Sequence, residues 1–386
     1  MAPIITMPRL MAVGGGALAE LPGTLQRLAL TKPLVVTDPF LLHSGHLERV
    51  TQTLDETGIP WRVFSDTVAD PTTAVVETGT RQLAEDSYDC LVAVGGGSSI
   101  DTAKAMSVLA ANGGHLREYK VPADISKAGP PVVAIPTTAG TGSEVTRFTV
   151  ITDTETDEKM LIAGLACCPV AAIVDYELTL TMPLRLTADT GLDSLTHAIE
   201  AYVSRRANSF TDGLAKSAMG LIAGHIRTAC AEPDNRAARE AMMLGATTAG
   251  MAFSNASVAL VHGMSRPIGA FFHVPHGLSN AMLLPEITAF SAPAALERYA
   301  DCARAMGIAE EGEGSQAAVA RLLDELRRLN EDLQVPAPRA WGIDPARYEE
   351  LLPVMASQAL ASGSPANNPR VPTSEEIIDL YRRVYG

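Results

Sequence analysis

Short apolar runs alternate with amphipathic segments along the first half of the chain. The apolar runs predict buried strands at residues 34–37, 61–64, 90–94, 131–135 and 171–175. Between them, helical periodicity appears at residues 47–57, 75–85 and 100–110. Two further stretches, 148–151 and 160–162, flank the polar segment TDTETDEK and predict a β-hairpin. Strands that alternate with helices are typical of βαβ units, so we expect a parallel sheet covered by helices on both faces.

The pattern changes after Met182-Pro183. From there to the C-terminus the chain is rich in Ala, Leu, Met, Glu and Arg, and its apolar positions recur at helical spacing. Clusters of β-branched residues become rare. We therefore place a domain boundary at residue 183, between an α/β domain at 1–183 and an all-α domain at 184–386.

Composition indicates which kinds of binding partner and which cellular compartment to expect. The chain has 386 residues, 47% of them hydrophobic, and a formal net charge of −14. An acidic surface repels nucleic-acid phosphates and anionic lipid, so we expect neither nucleic acid nor a membrane as a partner. The five cysteines form no CxxC pair, and the N-terminus lacks the features of a signal peptide. These observations favour a cytoplasmic protein in a reducing compartment.

Three loops that follow predicted strands carry residues suited to a nucleotide. Gly96, Gly97 and Ser98 lie between a strand and a helix, where glycine lets a phosphate approach the backbone and helix N–H groups favour an anion. Asp38 ends an earlier strand, and its carboxylate suits the hydroxyls of an adenine ribose. A third loop, 136–144, offers threonine hydroxyls among small residues. Each loop alone is equally consistent with an ordinary turn, but together they predict a nucleotide site at the carboxyl ends of parallel strands.

Acidic and imidazole side chains cluster in the second half of the chain. Asp193 and His197 are four residues apart in a segment, starting at Gly191, that predicts the beginning of a helix, so they share one helical face. His262 and His276 follow in two apolar segments that contain glycine. A surface hydrogen bond would account for the Asp–His pair alone, and an isolated core histidine is usually only hydrogen-bonded. The four together favour a divalent metal, because one carboxylate and several neutral imidazoles suit Fe2+ or Zn2+.

These segments resemble those of one known family. They are VTD at 36–38, GGGSSIDTAK at 95–104, IPTTAGTGSEVT at 135–146, GLDSLTHAIEAY at 191–202, VHGM at 261–264, HVPHGLSNAMLLP at 273–285 and NNPR at 367–370. Because these segments occur in this order, the chain resembles the iron-containing (group III) alcohol dehydrogenases along nearly its whole length. The resemblance implies the dehydroquinate synthase-like fold, with an α/β dinucleotide-binding domain at 1–183 and an all-α metal-binding and substrate domain at 184–386.

The resemblance also assigns roles to individual residues. It implies a metal, Fe2+ with Zn2+ or another divalent ion as alternatives, held by Asp193, His197, His262 and His276. It implies NAD as the cofactor, contacted by Asp38, Gly96, Gly97, Ser98, Asp101, Thr137, Thr138 and Lys159. Asp38 resembles the residue associated with NAD preference in this family, and a carboxylate at that position would repel the 2′-phosphate of NADP.

The resemblance implies an NAD- and metal-dependent oxidoreductase that interconverts a small primary alcohol and its aldehyde. The metal would act as a Lewis acid that stabilises the alkoxide, and hydride would pass from the alcohol carbon to the nicotinamide. The resemblance also implies a homodimer or a larger homo-oligomer. The apolar N-terminal stretch 4–13 offers an intermolecular strand for such an assembly.

Two other functions are compatible with parts of this pattern. A lyase or cyclase of the dehydroquinate synthase-like type also uses NAD and a divalent metal, but it needs basic residues around a charged substrate. Here Arg266 is the only basic residue close in sequence to His262 and His276. A non-catalytic, metal-stabilised protein would not need the cofactor loops. Multi-turnover formation of NADH from a simple alcohol separates the oxidoreductase from both alternatives.

Two positions depart from the family's pattern. Many relatives carry a further histidine four residues after the one matching His262, where this chain has Arg266, and some carry a cysteine in the loop 362–368, which has none here. Arginine stays protonated and cannot accept the alcohol proton. We therefore predict that His273 relays the proton, because histidine is the residue type whose ordinary pKa lies near neutrality, and that Arg266 orients a polar substituent of the substrate. In the alternative, neither residue takes part, and ribose hydroxyls with water carry the proton.

Overall fold

The computed structural model describes residues 2–156 and 158–386. It divides into two compact units, Ile4–Thr181 and Met182–Gly386, which we call the N-terminal unit and the C-terminal unit. The first contains a parallel sheet with helices, and the second is helical. The predicted fold class is therefore confirmed.

Eight strands lie in the described part of the N-terminal unit. They are β1 (Leu10–Val13), β2 (Pro33–Val36), β3 (Arg62–Phe64), β4 (Cys90–Gly95), β5 (Val132–Pro136), β6 (Phe148–Asp153), β7 (Glu158–Ala163) and β8 (Ala171–Val174). Six of them form one sheet in the order β1-β8-β5-β4-β2-β3, in which all neighbours are parallel. The other two, β6 and β7, form an antiparallel hairpin.

Helices make up most of the remaining chain. In the N-terminal unit they are α1 (Leu21–Arg27), α2 (Pro39–His43), α3 (His46–Glu56), α4 (Thr73–Ala84) and α5 (Gly97–Asn112). In the C-terminal unit they are α6 (Leu184–Val203), α7 (Ser209–Ala231), α8 (Arg236–Ala256), α9 (Leu260–Phe272), α10 (His276–Ser291), α11 (Leu296–Ala305), α12 (Ser315–Asp332), α13 (Pro338–Trp341), α14 (Pro345–Ala361) and α15 (Ser374–Tyr385). Taken singly, none of the helices in the described ranges has the length and apolarity to span a membrane, and α8 with α9 meets that test only as a pair bent by 105°.

The sheet separates two hydrophobic cores. Alternate side chains of a strand point to opposite faces, so Leu91 and Ala93 of β4 join a core with α4 and α5. Val92 and Val94 join a second core with α1 and α3. This burial on both faces explains why β4 appears in the sequence as a continuous apolar run.

The C-terminal unit is built around α6. Most of this helix is buried, and α7, α8 and α10 pack against it. A helix that is surrounded in this way can present polar side chains to several neighbours, and the candidate metal site uses this property.

Two elements differ from the sequence-based predictions. Helix α6 begins at Leu184 and not at Gly191, because its first turns expose Leu184 and Leu186, so no clear apolar face marks them in the sequence. The last four residues of the stretch 4–13 form β1, which was not predicted as part of the sheet and which pairs with β8 of the same chain. Because β1 is an edge strand, its other side has no partner strand within the described chain.

Candidate functional site

Helix α6 carries three buried polar side chains on one face. Asp193, His197 and Glu200 follow one another at intervals of four and three residues, the spacing that aligns side chains along a helix. Their exposed fractions are 2%, 5% and 3%. Buried charges and imidazoles require polar partners, so this face depends on groups from neighbouring helices.

Glu200 connects α6 to the start of α9. Its carboxylate accepts hydrogen bonds from the backbone N–H groups of Ala259 and Val261, at 2.9 and 2.6 Å. It also lies 2.7 Å from Nδ1 of His262. A carboxylate at this position favours the tautomer with its proton on Nδ1. Nε2 of His262 then faces Oδ1 of Asp193, 3.4 Å away.

His276 enters the cluster as the first residue of α10. This helix packs so closely on α6 that a side chain at Gly277 would lie 2.3 Å from the backbone oxygen of Asp189. Glycine at 277 therefore permits the approach that places Nε2 of His276 3.8 Å from Oδ1 of Asp193. The His276 side chain is 45% exposed. The cluster is thus open to solvent on the side of His276 and closed elsewhere.

The distances suit a single divalent metal ion. Two ligand atoms about 2.1 Å from one ion, at a tetrahedral angle, are separated by about 3.4 Å. The Nε2 atoms of His262, His276 and His197 lie 3.4, 3.8 and 4.0 Å from Oδ1 of Asp193. Asp193, His262 and His276 form the tighter group, in which one ligand atom of each lies within 4.8 Å of the other two. His197 stands beside this group.

Stacked rings hold His197 in place. Its imidazole lies between the rings of Phe253 and His262, with centroid distances of 4.2 and 4.4 Å and interplanar angles of 16° and 21°. Both neighbours are buried. The ring of His197 therefore has little freedom to turn away from Asp193.

The electrostatics of the cluster favour positive charge. Burial alone would raise the pKa of Asp193, but the nearby histidines His197, His276 and His262 outweigh it and hold that pKa well below its ordinary value. Burial alone would lower the pKa of His262, but the carboxylates of Asp193 and Glu200 outweigh it and raise that pKa to about 9. Both shifts indicate that a cation is stabilised at this position.

A second candidate site lies at the carboxyl ends of three adjacent strands. Because β2, β4 and β5 are neighbours in the parallel sheet, the loops that follow them meet at one edge. Gly96 precedes α5 and Gly97 begins it, with no side chain capping the helix. A side chain at Gly97 would lie 2.9 Å from Thr141, and one at Gly96 would lie 3.5 Å from Thr138. A helix N-terminus between two closely packed loops suits an anionic phosphate.

Comparison with known proteins decides the family. The family model described as "Iron-containing alcohol dehydrogenase" matches residues 8–176. The model described as "Fe-containing alcohol dehydrogenase family, C-terminal" matches residues 187–385. The chain belongs to the iron-containing alcohol dehydrogenase family.

Individual relatives are similar over almost their full length. The chain is 37% identical over 377 residues to the NAD-dependent methanol dehydrogenase of Bacillus methanolicus, covering 97% of this chain and 98% of that protein. It is 38% identical over 375 residues to the lactaldehyde reductase of Escherichia coli (strain K12), covering 96% and 97%. The crystal structure of a 1,3-propanediol oxidoreductase, 35% identical, superposes with a TM-score of 0.95 over 100% of both chains. The chain is accordingly an alcohol dehydrogenase.

Besides Gly96 and Gly97, four more of the eight predicted cofactor contacts of this alcohol dehydrogenase lie on or beside the loops just described. Asp38 follows β2 and uses Oδ1 to accept a hydrogen bond from the backbone N–H of Leu41, 3.0 Å away, which caps α2. Ser98 lies in the first turn of α5. Thr137 and Thr138 follow β5, and the N–H of Thr137 donates to the carbonyl of the β4 residue Gly95.

The remaining two predicted contacts are engaged elsewhere in the N-terminal unit. The carboxylate of Asp101 accepts hydrogen bonds from Oγ of Ser143 at 2.6 Å and from the N–H of Val150 at 2.8 Å. Lys159, on β7, forms an ion pair with Asp70, with 2.8 Å between Nζ and Oδ1. Both side chains therefore contribute to the local structure of this unit.

The predicted catalytic residues differ in solvent exposure. They are Arg266, within α9, and His273, directly after it. His273 ends the helix in the left-handed region, with φ at 54°, and is exposed. Arg266 lies within the helix and is partly buried. Burial lowers the pKa of Arg266, and the negative charge of Glu200 opposes that effect.

Three structurally important residues were not identified from the sequence. Glu200 holds His262, and Asn280, on α10, contacts the ligand cluster. Lys104 is fully buried in α5, and its Nζ donates to Oγ of Ser143 and to the carbonyls of Thr146 and Phe148, at 2.9, 3.0 and 2.8 Å. Spacing was the available signal, because each of these residues follows a predicted site residue by three or four positions. Glu200 follows His197, Asn280 follows His276, and Lys104 follows Asp101.

Proposed function

We propose that this alcohol dehydrogenase uses NAD and one divalent metal ion, Fe2+ in preference to Zn2+ or another ion. We assign the ligands to four residues: Asp193, His197, His262 and His276. The convergence of a buried carboxylate with imidazole nitrogens at metal-ligand spacing carries the proposal. We also propose that residues 1–183 bind the dinucleotide and that residues 184–386 bind the metal and the substrate.

The proposed reaction is the interconversion of a small primary alcohol and its aldehyde. A divalent metal, when bound, supplies a Lewis acid that stabilises negative charge on the alcohol oxygen while hydride passes to the nicotinamide. Asp193 contributes the single negative charge of the ligand set. Glu200 holds Nδ1–H of His262, so that Nε2 keeps its lone pair directed at the cluster. Phe253 and the stacked imidazoles restrict the side-chain motions that would spread the ligands apart.

The N-terminal unit offers the groups that NAD requires. We assign the cofactor contacts to Asp38, Gly96, Gly97, Ser98, Asp101, Thr137, Thr138 and Lys159. The N–H groups at the start of α5 suit the pyrophosphate, and the oxygen of Asp38 that does not cap α2 suits a ribose hydroxyl. The name of the NAD-dependent relative from Bacillus methanolicus supports the same cofactor.

For the proton we propose a relay through His273, with Arg266 orienting a polar substituent of the substrate. The exposure of His273 supports a path to solvent. In the His273→Asn variant, which can form hydrogen bonds but cannot titrate, kcat/KM should fall about tenfold and lose its near-neutral pH limb. A rate and pH profile like those of the unmodified enzyme would remove His273 from the relay.

We propose that the protein acts in the cytoplasm. All five cysteines are free thiols, and free thiols are typical of a reducing compartment. After cell fractionation the protein should be recovered with cytoplasmic markers, and recovery with membranes would contradict the assignment.

A substrate panel tests the proposed function. Small primary alcohols with NAD, and the matching aldehydes with NADH, are assayed anaerobically after the protein has been loaded with Fe2+. We expect many equivalents of NADH per protein from at least one alcohol, and the reverse reaction with its aldehyde. Formation of no more than one equivalent of NADH across the panel would overturn the proposal.

A further inference from the structure

Asn280 lies inside the ligand cluster although no ligand role was assigned to it. It follows His276 by four residues on α10, so both side chains share one face of that helix. Its exposed fraction is 0%. Its Nδ2 lies 2.7 Å from Oδ1 of Asp193, 3.1 Å from Nε2 of His262 and 3.2 Å from Nε2 of His276. One amide group thus contacts three of the four proposed ligands.

The amide oxygen of Asn280 indicates that this side chain has a role besides stabilising the fold. A buried carboxamide is costly unless its polar atoms are hydrogen-bonded. Oδ1 of Asn280 is buried and has no hydrogen-bond partner among the residues that the structure describes. By contrast, the buried Asn368 donates to Oγ of Ser291 and to the carbonyl of Arg370, and so ties two segments together. The polar contacts of Asn280 all point at the cluster.

From this geometry we infer that Asn280 is a positioning residue of the metal centre. Its N–H donates to Oδ1 of Asp193 and so restricts rotation of the carboxylate that all the candidate imidazoles face. Ligating carboxylates commonly need such a hydrogen bond to keep their orientation. Because the amide is neutral, it does so without adding to the charge of the site. The inference rests on the proposed metal site and adds a residue to it.

Glu200 and Asn280 then act on different ligands. Glu200 approaches His262 from Nδ1, the side away from the cluster, and fixes its tautomer. Asn280 approaches from within the cluster and fixes Asp193. The carboxylate and one imidazole are therefore held independently, by side chains from two different helices, α10 and α6.

Metal affinity measured in matched variants tests this role. Asn280→Leu keeps the approximate size of the side chain but removes the N–H, and Asn368→Leu is the control for loss of a buried asparagine elsewhere in the C-terminal unit. Each full-length protein is stripped of metal and titrated with Co2+ in competition with a chelator. We expect the Co2+ Kd of Asn280→Leu to rise about 10–100-fold, with that of Asn368→Leu unchanged. The d–d absorption of Co2+ should also change only in Asn280→Leu.

The outcomes separate this inference from the proposed metal site. If the unmodified protein and Asn280→Leu bind Co2+ with Kd values within about twofold and with the same spectrum, Asn280 has no positioning role. If the unmodified protein binds no Co2+, the metal site itself is wrong, and this inference fails with it. If circular dichroism shows that Asn280→Leu does not fold, the Co2+ Kd and the d–d spectrum are measured on Asn280→Ala. Alanine introduces no larger group, and the same criteria then apply.

Discussion

Asp38, at the carboxyl end of β2, has one observed role and one proposed role. One oxygen caps α2 by accepting from the N–H of Leu41, and we propose that the other binds a ribose hydroxyl. Asp344 caps α14 in the same way, accepts from the N–H of Arg347 at 2.7 Å and is likewise followed by proline. Only Asp38 belongs to the proposed cofactor site. Asp344 therefore serves as its matched control.

Asp38→Gly should relax the choice of cofactor. Removing the carboxylate removes repulsion of the 2′-phosphate, so the ratio of kcat/KM for NAD to that for NADP should fall about tenfold or more, equivalent to about 1.4 kcal/mol. Stability should change by only a few tenths of a kcal/mol, because glycine is tolerated at a helix N-cap. Asp344→Gly should leave the ratio unchanged. Equal use of both cofactors by the unmodified enzyme would contradict the role of Asp38.

Glu200→Gln should weaken metal binding. The amide keeps one acceptor oxygen but brings an NH2 group toward the N–H donors of Ala259, Val261 or His262. We expect the metal Kd to rise about 10–100-fold, as for other residues that orient a ligating histidine. The measurement is chelator competition on the purified variant.

Asp175→Asn is the control for that change. Asp175 is also fully buried and accepts from three backbone N–H groups, those of Gly16, Leu18 and Glu177. Its substitution should lower the stability of the N-terminal unit and leave the metal Kd unchanged. If both variants changed the metal Kd equally, a general loss of stability would account for the effect.

At the scale of single residues, the sequence singled out the candidate ligands but not the residues that contact them. Asp193 and His197 are four residues apart, so helical periodicity alone places them together. Glu200 reaches His262 across 62 positions of the chain, and Asn280 reaches Asp193 across 87. Such contacts depend on how helices pack, which the spacing of residues within one helix does not specify.

At the scale of secondary structure, burial on both faces made the central strands predictable. Strand β4 and helix α5 appear in the sequence as an apolar run, a glycine turn and a helical segment, and this helix is buried over most of its length. The start of α6 was misplaced because exposed leucines hide its first turns. The four-residue strand β1 was missed as part of the sheet, because its pairing with β8 joins the two ends of the N-terminal unit.

Lys104 supports the loop between β5 and β6. Its buried ammonium group donates to Ser143, Thr146 and Phe148, while Asp101 accepts from Ser143 and Val150. The hydrogen bonds from α5 therefore fix this loop, which follows the proposed cofactor residues Thr137 and Thr138.

Lys104→Met should destabilise the N-terminal unit by about 2–5 kcal/mol, because it leaves buried acceptors and the Asp101 carboxylate without their cation. The corresponding fall in Tm is roughly 5 °C or more by calorimetry. Lys120→Met is the control, since that lysine pairs with Glu158 at the surface and should cost about 1 kcal/mol or less. A Tm for Lys104→Met equal to that of the control would show that the buried network contributes little.

At the scale of the whole molecule, the exposed edge of β1 supports the prediction of a homodimer or a larger homo-oligomer. Ile4 is 82% exposed and Val13 is 47% exposed, and β1 lies at the end of the sheet. Apolar side chains beside an open strand edge favour association with another chain. Light scattering at micromolar concentration should therefore give at least twice the chain mass of 40.6 kDa. A monomer under those conditions would contradict this prediction.

The central claim is that a metal ion held by Asp193 and the histidines of α6, α9 and α10 is required for turnover. The direct measurement is metal content by elemental analysis together with NADH formation, in His262→Ala and His276→Ala. His225→Ala is the control, because His225 lies on α7 and contacts the carbonyl of Leu221 in its own helix. We predict that both site variants stay folded, lose bound metal and fall to background turnover, while the control retains both. Unchanged metal content and full activity in either site variant would contradict the account.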